Sequence, residues 1–177
     1  GMGSELGQTT SLRVELPLLF RQFGIRTLLD LPCGDFNWMQ ALDLQGIEYI
    51  GGDIVEALTN QNQAKYGNAH RQFRCLDILT DPLPDADCIL VRDCLVHFSL
   101  AHLEQALTNI RKSKIRYLLS TSFPRVEINE EIQTGYWRPI NLQKPPFFFP
   151  EPLAQLSDAG KIRSGEHADK SLCLWEI

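Results

Sequence analysis

Along the first two thirds of the chain, short continuous apolar runs alternate with stripes of apolar residues spaced three and four apart. Leu12, Leu16, Leu19, Phe20 and Phe23 form the first such stripe, which Pro17 is expected to divide and Gly24 to stop. Residues 27–31 then read as a buried strand running into Pro32-Cys33-Gly34, followed by a short helix around residues 38–42. A second strand over 48–51 closes on Gly52-Asp53, and a helix over about 55–66 meets Gly67 as its C-cap. The third strand runs through Phe73 and Cys75 to Asp77, and the fourth is Cys88-Ile89-Leu90-Val91, entered from a turn at Pro82 and Pro84. Ser99 is the expected N-cap of a helix carrying Leu100, Leu103, Leu107 and Ile110 and ending in Arg111, Lys112 and Lys114. Residues 117–121 make a fifth strand. This alternation predicts an α/β fold built on a parallel sheet.

The pattern changes after Phe123. Pro139, Pro145, Pro146, Pro150 and Pro152 are half of the ten prolines, and at that density neither a central strand nor a long helix can form. Residues 172–177 finish the sequence as an apolar strand.

Composition narrows the possibilities. The 177 residues hold 17 Lys and Arg against 22 Asp and Glu, a formal charge of −5, with 44% hydrophobic residues. Disorder is excluded by that apolar content, and the acidic balance gives no strong nucleic-acid signal. Cys33, Cys75, Cys88, Cys94 and Cys173 are irregularly spaced with no C-x-x-C pair, which argues for buried thiols and no metal site. No basic-then-apolar leader and no run of ~18 apolar residues is visible, so a cytoplasmic protein without membrane contact is expected.

In an open α/β sheet the carboxyl ends of the strands bind ligand. Those ends read Asp30-Leu31-Pro32-Cys33-Gly34-Asp35, Gly52-Asp53, Asp77 and Arg92-Asp93. Gly34 lets backbone approach a ligand closely, and Asp53 follows it by 19 residues, near the ~20-residue spacing of an acid that grips ribose hydroxyls. Arg92-Asp93 is a charged pair at the end of an apolar strand, costly to bury unless its members pair with each other or with a ligand. Asp93 is thus a candidate general base or substrate anchor, with His97 four residues on sharing the task; a loop salt bridge and a structural histidine are the plainer alternatives. Trp137, Arg138 and Asn141 lie in an aromatic, proline-stiffened stretch that can wall an acceptor pocket, pack as a flap or present a self-association patch.

Asp30-Leu31-Pro32-Cys33-Gly34 resembles the first motif of the class I S-adenosylmethionine-dependent methyltransferases, an acidic-x-Gly-x-Gly-x-Gly loop. Tyr49-Ile50-Gly51-Gly52-Asp53 is similar to the family's second motif. Cys75-Leu76-Asp77-Ile78 and the stretch from Leu83 to Val91 resemble the third and fourth, and Cys94-Leu95-Val96-His97-Phe98 the segment after them. The resemblance spans about residues 25–121. It implies a Rossmann-like, doubly wound sheet, mostly parallel with an antiparallel C-terminal strand and helices on both faces. It also implies S-adenosylmethionine as cofactor. Asp30, Pro32, Cys33 and Gly34 would line its methionine end, Asp53 and Ile54 its ribose, and Asp77 and Ile78 its adenine, with Arg92 alongside. Two motif glycines are replaced, by Pro32 and by Phe36, whose ring stands where the family packs backbone against cofactor.

The expected organisation is one domain over 1–177, with a cofactor half over about 8–123 and an acceptor side over about 124–177. Gln8-Thr9-Thr10 is a further segment that could close over the cofactor. The function expected is methyl transfer to a small-molecule or glycan-like acceptor, self-association being left open. The alternative is a catalytically silent module of the same fold. A nicotinamide oxidoreductase lacks its G-x-G-x-x-G fingerprint here, and a thiol enzyme at Cys33 lacks an identifiable histidine partner.

Overall fold

In the computed structural model, which describes residues 5–160 and 167–177, seven strands form one sheet in the order β3-β2-β1-β4-β5-β7-β6. The strands are β1 (Thr27–Asp30), β2 (Glu48–Asp53), β3 (Arg71–Cys75), β4 (Cys88–Val91), β5 (Tyr117–Ser122), β6 (Ala154–Ser157) and β7 (Ser171–Glu176). The helices are α1 (Thr10–Gln22), α2 (Glu56–Tyr66) and α3 (Leu100–Lys112). Strands β1 to β5 pair in parallel, and β7 runs antiparallel between β5 and β6.

Every residue of β4 and β5 is buried; β4 reads as an unbroken apolar run, while in β5 the apolar Tyr117-Leu118-Leu119 is followed by buried Ser120, Thr121 and Ser122. Successive residues face opposite layers. Leu29, Ile89 and Leu118 join Leu103, Leu107 and Ile110 of α3 in one core, whereas Leu28, Leu90 and Leu119 join Leu12, Leu16 and Phe20 of α1 in the other. Helices therefore cover both faces. Helix α3 begins where Ser99 Oγ accepts the His102 N–H at 3.2 Å and ends with Arg111 and Lys112 at its negative pole.

Three elements differ from the sequence expectation. Pro17 does not divide α1, which runs through it with the ring buried. Burying Leu12, Leu16, Leu19 and Phe20, at roughly 1.5–3 kcal/mol each, exceeds the ~3 kcal/mol cost of an interior proline. Strand β3 stops at Cys75, and Asp77 instead makes a turn, its carboxylate accepting the Leu79 N–H at 2.8 Å and the Thr80 hydroxyl at 3.2 Å. Strand β6 was not expected. Its four residues alternate between partial and full exposure at the sheet edge, a signal too short to read.

The proline-rich stretch carries no long regular element, yet it is anchored. Ile140, Leu142, Phe147 and Phe149 enter the α3-side core. Asn141 Nδ2 donates to the carbonyls of Pro124 (3.1 Å) and Val126 (2.9 Å), and Asn129 Nδ2 to that of Asn141 (2.9 Å).

Candidate functional site

A cavity of about 980 Å3 opens at the carboxyl ends of β1, β2 and β4. Its floor is the loop after β1. The Cys33 N–H donates to the Gly52 carbonyl at 2.7 Å and Asn62 Nδ2 to the Gly34 carbonyl at 2.7 Å, which ties the loop to β2 and α2. Gly34 has φ +55, with nothing within 4 Å of where a Cβ would stand, so open space lies directly above the backbone. Asp53 Oδ2 accepts the Gly34 N–H at 3.1 Å, and its Oδ1 accepts the Val55 N–H at 3.0 Å. These two bonds fix the carboxylate against the cavity wall.

Phe36 corrects the expectation for its ring. It is fully buried and clustered with Tyr49, Tyr66 and Phe73 at centroid distances of 5.0 to 5.2 Å, under the Arg71 guanidinium. Its φ of +59 turns the side chain away from the cavity, and burial of an aromatic ring offsets a left-handed backbone cost of roughly 1–2 kcal/mol. The loop surface is left to Pro32, Cys33 and Gly34.

Asp30, at the end of β1, is 3% exposed and accepts the Tyr49 hydroxyl at 2.6 Å. Burial pushes its carboxyl up to about 7, against the opposing pull of the Tyr49 hydroxyl and Arg92. Burial also pushes the Cys33 thiol far up, so this cavity-lining sulfur is a poor nucleophile.

The far wall is an ion-pair network. Arg92 grips Asp158 in bidentate fashion, Nε to Oδ2 at 3.0 Å and Nη2 to Oδ1 at 2.8 Å, and lies over the Trp38 ring at 5.0 Å. Lys170 Nζ joins Asp158 at 3.0 Å and Asp93 at 2.7 Å. Asp93 itself has φ +53 and its N–H donates to Thr121 Oγ1 at 2.9 Å. The strand-end pair is thus held largely by residues from the β6–β7 region.

His97 and three rings also line the cavity. His97 Nδ1 lies 3.0 Å from the Tyr136 carbonyl oxygen, which can only accept; Nδ1 therefore carries the proton and Nε2 of the neutral ring is an acceptor. Phe123, Trp137 and His167 meet at centroid distances of 6.0, 5.8 and 4.9 Å, all near perpendicular.

Of the residues singled out from sequence, the cavity brings together Asp30, Pro32, Cys33, Gly34, Asp53, Arg92, Asp93, His97 and Trp137, with Gln8 at its edge. Five lie elsewhere. Ile54 is 65% exposed on the surface and Ile78 is buried in the α3-side core, while Asp77 is engaged in its turn. Arg138 is buried and donates to the carbonyls of Glu130, Leu95 and Phe98, and Asn141 holds its own loop, so both stabilise backbone away from the cavity wall. Asp158, His167 and Lys170 had no sequence signal. They belong to a hairpin whose first strand is nearly silent, and the ion pairs reach across 66 and 77 residues. Among the described residues, no group of His, Cys, Asp and Glu is placed to hold a metal ion, and no helix is long and apolar enough to cross a membrane.

Residues 29–113 match the family model described as a methyltransferase domain. A search of curated proteins gave no match. Among solved structures, the chain resembles the PH0226 protein of Pyrococcus horikoshii OT3, at 18% identity and TM-score 0.62, over 95% of this chain and 88% of that one. Magnesium protoporphyrin IX methyltransferase of Synechocystis PCC 6803, solved with bound SAH, aligns at 14% identity and TM-score 0.61, over 96% and 81%. An O-methyltransferase family 2 protein of Planctomyces limnophilus DSM 3776, in complex with apigenin, aligns at 16% identity and TM-score 0.61, over 86% and 51%. The chain spans only 30% to 66% of the length of four other solved structures that it resembles. At these identities the likeness is one of fold.

Proposed function

We propose that the chain is a class I S-adenosylmethionine-dependent methyltransferase and transfers a methyl group from this cofactor to a small-molecule or glycan-like acceptor, a reading supported by the match of residues 29–113 to a methyltransferase domain. Asp53 carries the proposal. A carboxylate has about four lone-pair sites, and two here hold the Gly34 and Val55 N–H groups. The remaining two suit a pair of adjacent ribose hydroxyls at the end of β2. Bare backbone at Gly34 and the acid of Asp30 beyond it suit a cationic methionine end. The residues present therefore fit the cofactor.

When bound, S-adenosylmethionine supplies an electrophilic methyl group and departs as a neutral thioether. The chain's own part is to position the acceptor and take its proton. His97 serves as general base through Nε2, its ring fixed by the Tyr136 carbonyl. Asp93 is engaged by Lys170 and acts as a positioning residue for the wall. That engagement also favours the second reading, a catalytically silent module that binds cofactor alone.

Calorimetric titration with S-adenosylmethionine, its demethylated product and NAD tests the assignment. The first two are expected to bind and NAD not to. Absence of binding by the first two overturns the reading. Replacing Asp53 by Ala is expected to weaken cofactor binding by at least ~1.5 kcal/mol, about tenfold in Kd. Binding without methyl transfer across a broad acceptor screen would select the silent module.

A further inference from the structure

Resting on that reading, we infer that Asp158 is a positioning residue that acts through Arg92. By cancelling the guanidinium charge on the cavity wall, it keeps the site tuned to a sulfonium over the neutral thioether. Arg92 has a mechanical task. It follows β4 directly, lies over the Trp38 ring at 5.0 Å and grips Asp158 through hydrogen bonds of 3.0 and 2.8 Å. One guanidinium thereby ties together the loop after β1, the centre of the sheet and the β6–β7 region. That task also brings a fixed positive charge into the lining of a cavity proposed to receive a cation. Without an answering anion, the charge would repel a sulfonium.

The answering charges close a ring. Arg92 and Lys170 supply two cations, Asp93 and Asp158 two anions, and each cation meets both anions. Arg92 stands 2.8 Å from Asp158 and 3.6 Å from Asp93, and Lys170 stands 3.0 Å and 2.7 Å from the same pair. The four charges cancel, which leaves Asp30, Asp35 and Asp53 as the remaining described acids of the lining. Within the ring the Asp158 side chain is 0% exposed, against 7% for Arg92, 18% for Lys170 and 31% for Asp93. Asp158 therefore touches no ligand, and its influence passes through the cations. Buried charges are also screened much less by salt. Burial raises the Asp30 carboxyl, and Arg92 is among the groups pulling against it, so the Arg92 field reaches the methionine end.

A clasp that merely held the hairpin against β4 would differ in one measurable respect. It would support both forms of the ligand alike, because the loop and the hairpin stand in the same place for each. A compensating charge instead acts on the sulfonium, the one charge by which S-adenosylmethionine differs from its demethylated product. The ratio of the two affinities therefore separates the roles.

Calorimetric titration of S-adenosylmethionine and of the demethylated product into wild type and variants measures that ratio. Asp158→Asn keeps the shape of the side chain and removes its charge. It is expected to weaken S-adenosylmethionine about tenfold and the product by no more than about twofold. Adding Arg92→Met to Asp158→Asn removes the cation as well, and is expected to restore the wild-type ratio. Lys170→Met works in the opposite sense. It leaves the wall with one negative charge in excess, and is expected to raise the preference for S-adenosylmethionine at least about threefold. Its side chain is partly exposed, so this variant decides the matter if Asp158→Asn does not fold. Equal weakening of both ligands by Asp158→Asn, or a ratio that Lys170→Met leaves unchanged, overturns the inference while the cofactor reading stands. If neither ligand binds the wild-type protein, the cofactor reading falls and the inference with it.

Discussion

Asp30 shows how much one buried group can govern. Its carboxyl is raised to about 7 in the fold, from an ordinary value of 3.8. Between those two values the folded chain keeps a proton that the unfolded chain has released. Raising pH through that window therefore lowers stability, by an amount on the order of 4 kcal/mol at most, and above about 7 the loss is complete. Asp30→Asn should flatten the dependence of urea midpoint on pH between about 4 and 7, because the neutral amide has no proton to lose. Cofactor binding should report the same group. A sulfonium favours the ionised carboxylate, so binding near neutral pH should release up to about one proton, measurable by calorimetry in buffers of different ionisation enthalpy. The Asp30→Asn variant should release none.

Arg138 organises the segment that carries Trp137. Its three donors reach the carbonyls of Glu130, Leu95 and Phe98 at 3.0, 3.1 and 2.9 Å, and its own N–H reaches Val96 at 3.1 Å. Two chain segments far apart in sequence, one bearing His97 and one bearing Trp137, are locked by this guanidinium. Arg138→Ala should cost about 2–4 kcal/mol in urea unfolding, since it strands buried carbonyls, and Arg138→Lys should recover only a minor part. The sequence marked Arg138 and Asn141 as polar residues in an apolar stretch. It could not tell a side chain satisfying backbone from one awaiting ligand, because that difference lies in which carbonyls the fold leaves unpaired. Asp53 was legible for the opposite reason: its partners, Gly34 and Val55, lie in the loop and helix entry that its own motif specifies. The parallel strands were legible from short apolar cores, Leu28-Leu29, Tyr49-Ile50, Cys88 to Val91 and Tyr117 to Leu119, whereas β3 offered little beyond Phe73 and Cys75. Asp158 and Lys170 were not, because their meaning depends on a hairpin folded against β5.

Over the whole molecule the charge of −5 has an uneven distribution. The described lining of the cavity includes Asp30, Asp35, Asp53, Asp93 and Asp158 against Arg92 and Lys170. Such a surface favours a cation over its neutral product. The preference for S-adenosylmethionine over the demethylated product should therefore shrink as salt rises from about 0.01 M to about 1 M, where the Debye length falls from about 30 to about 3 Å. Calorimetric titration of both ligands at each salt concentration measures it, and a constant ratio would show that the acids do not act on the sulfonium.

The placing of β7 has a consequence for how such a chain is made. Its seat lies between β5 and β6, and it pairs with every residue of β5 from Tyr117 to Ser122. Synthesis reaches Ser122 well before Ser171. At ~5–20 residues per second, the ribosome leaves the outer rim of β5 unpaired for roughly 2–10 seconds. That rim, whose side chains all end up buried, is an open template for another nascent copy during the interval. Yield in a cell should depend on how quickly translation crosses the proline-rich stretch, and on whether a chaperone shields the rim meanwhile.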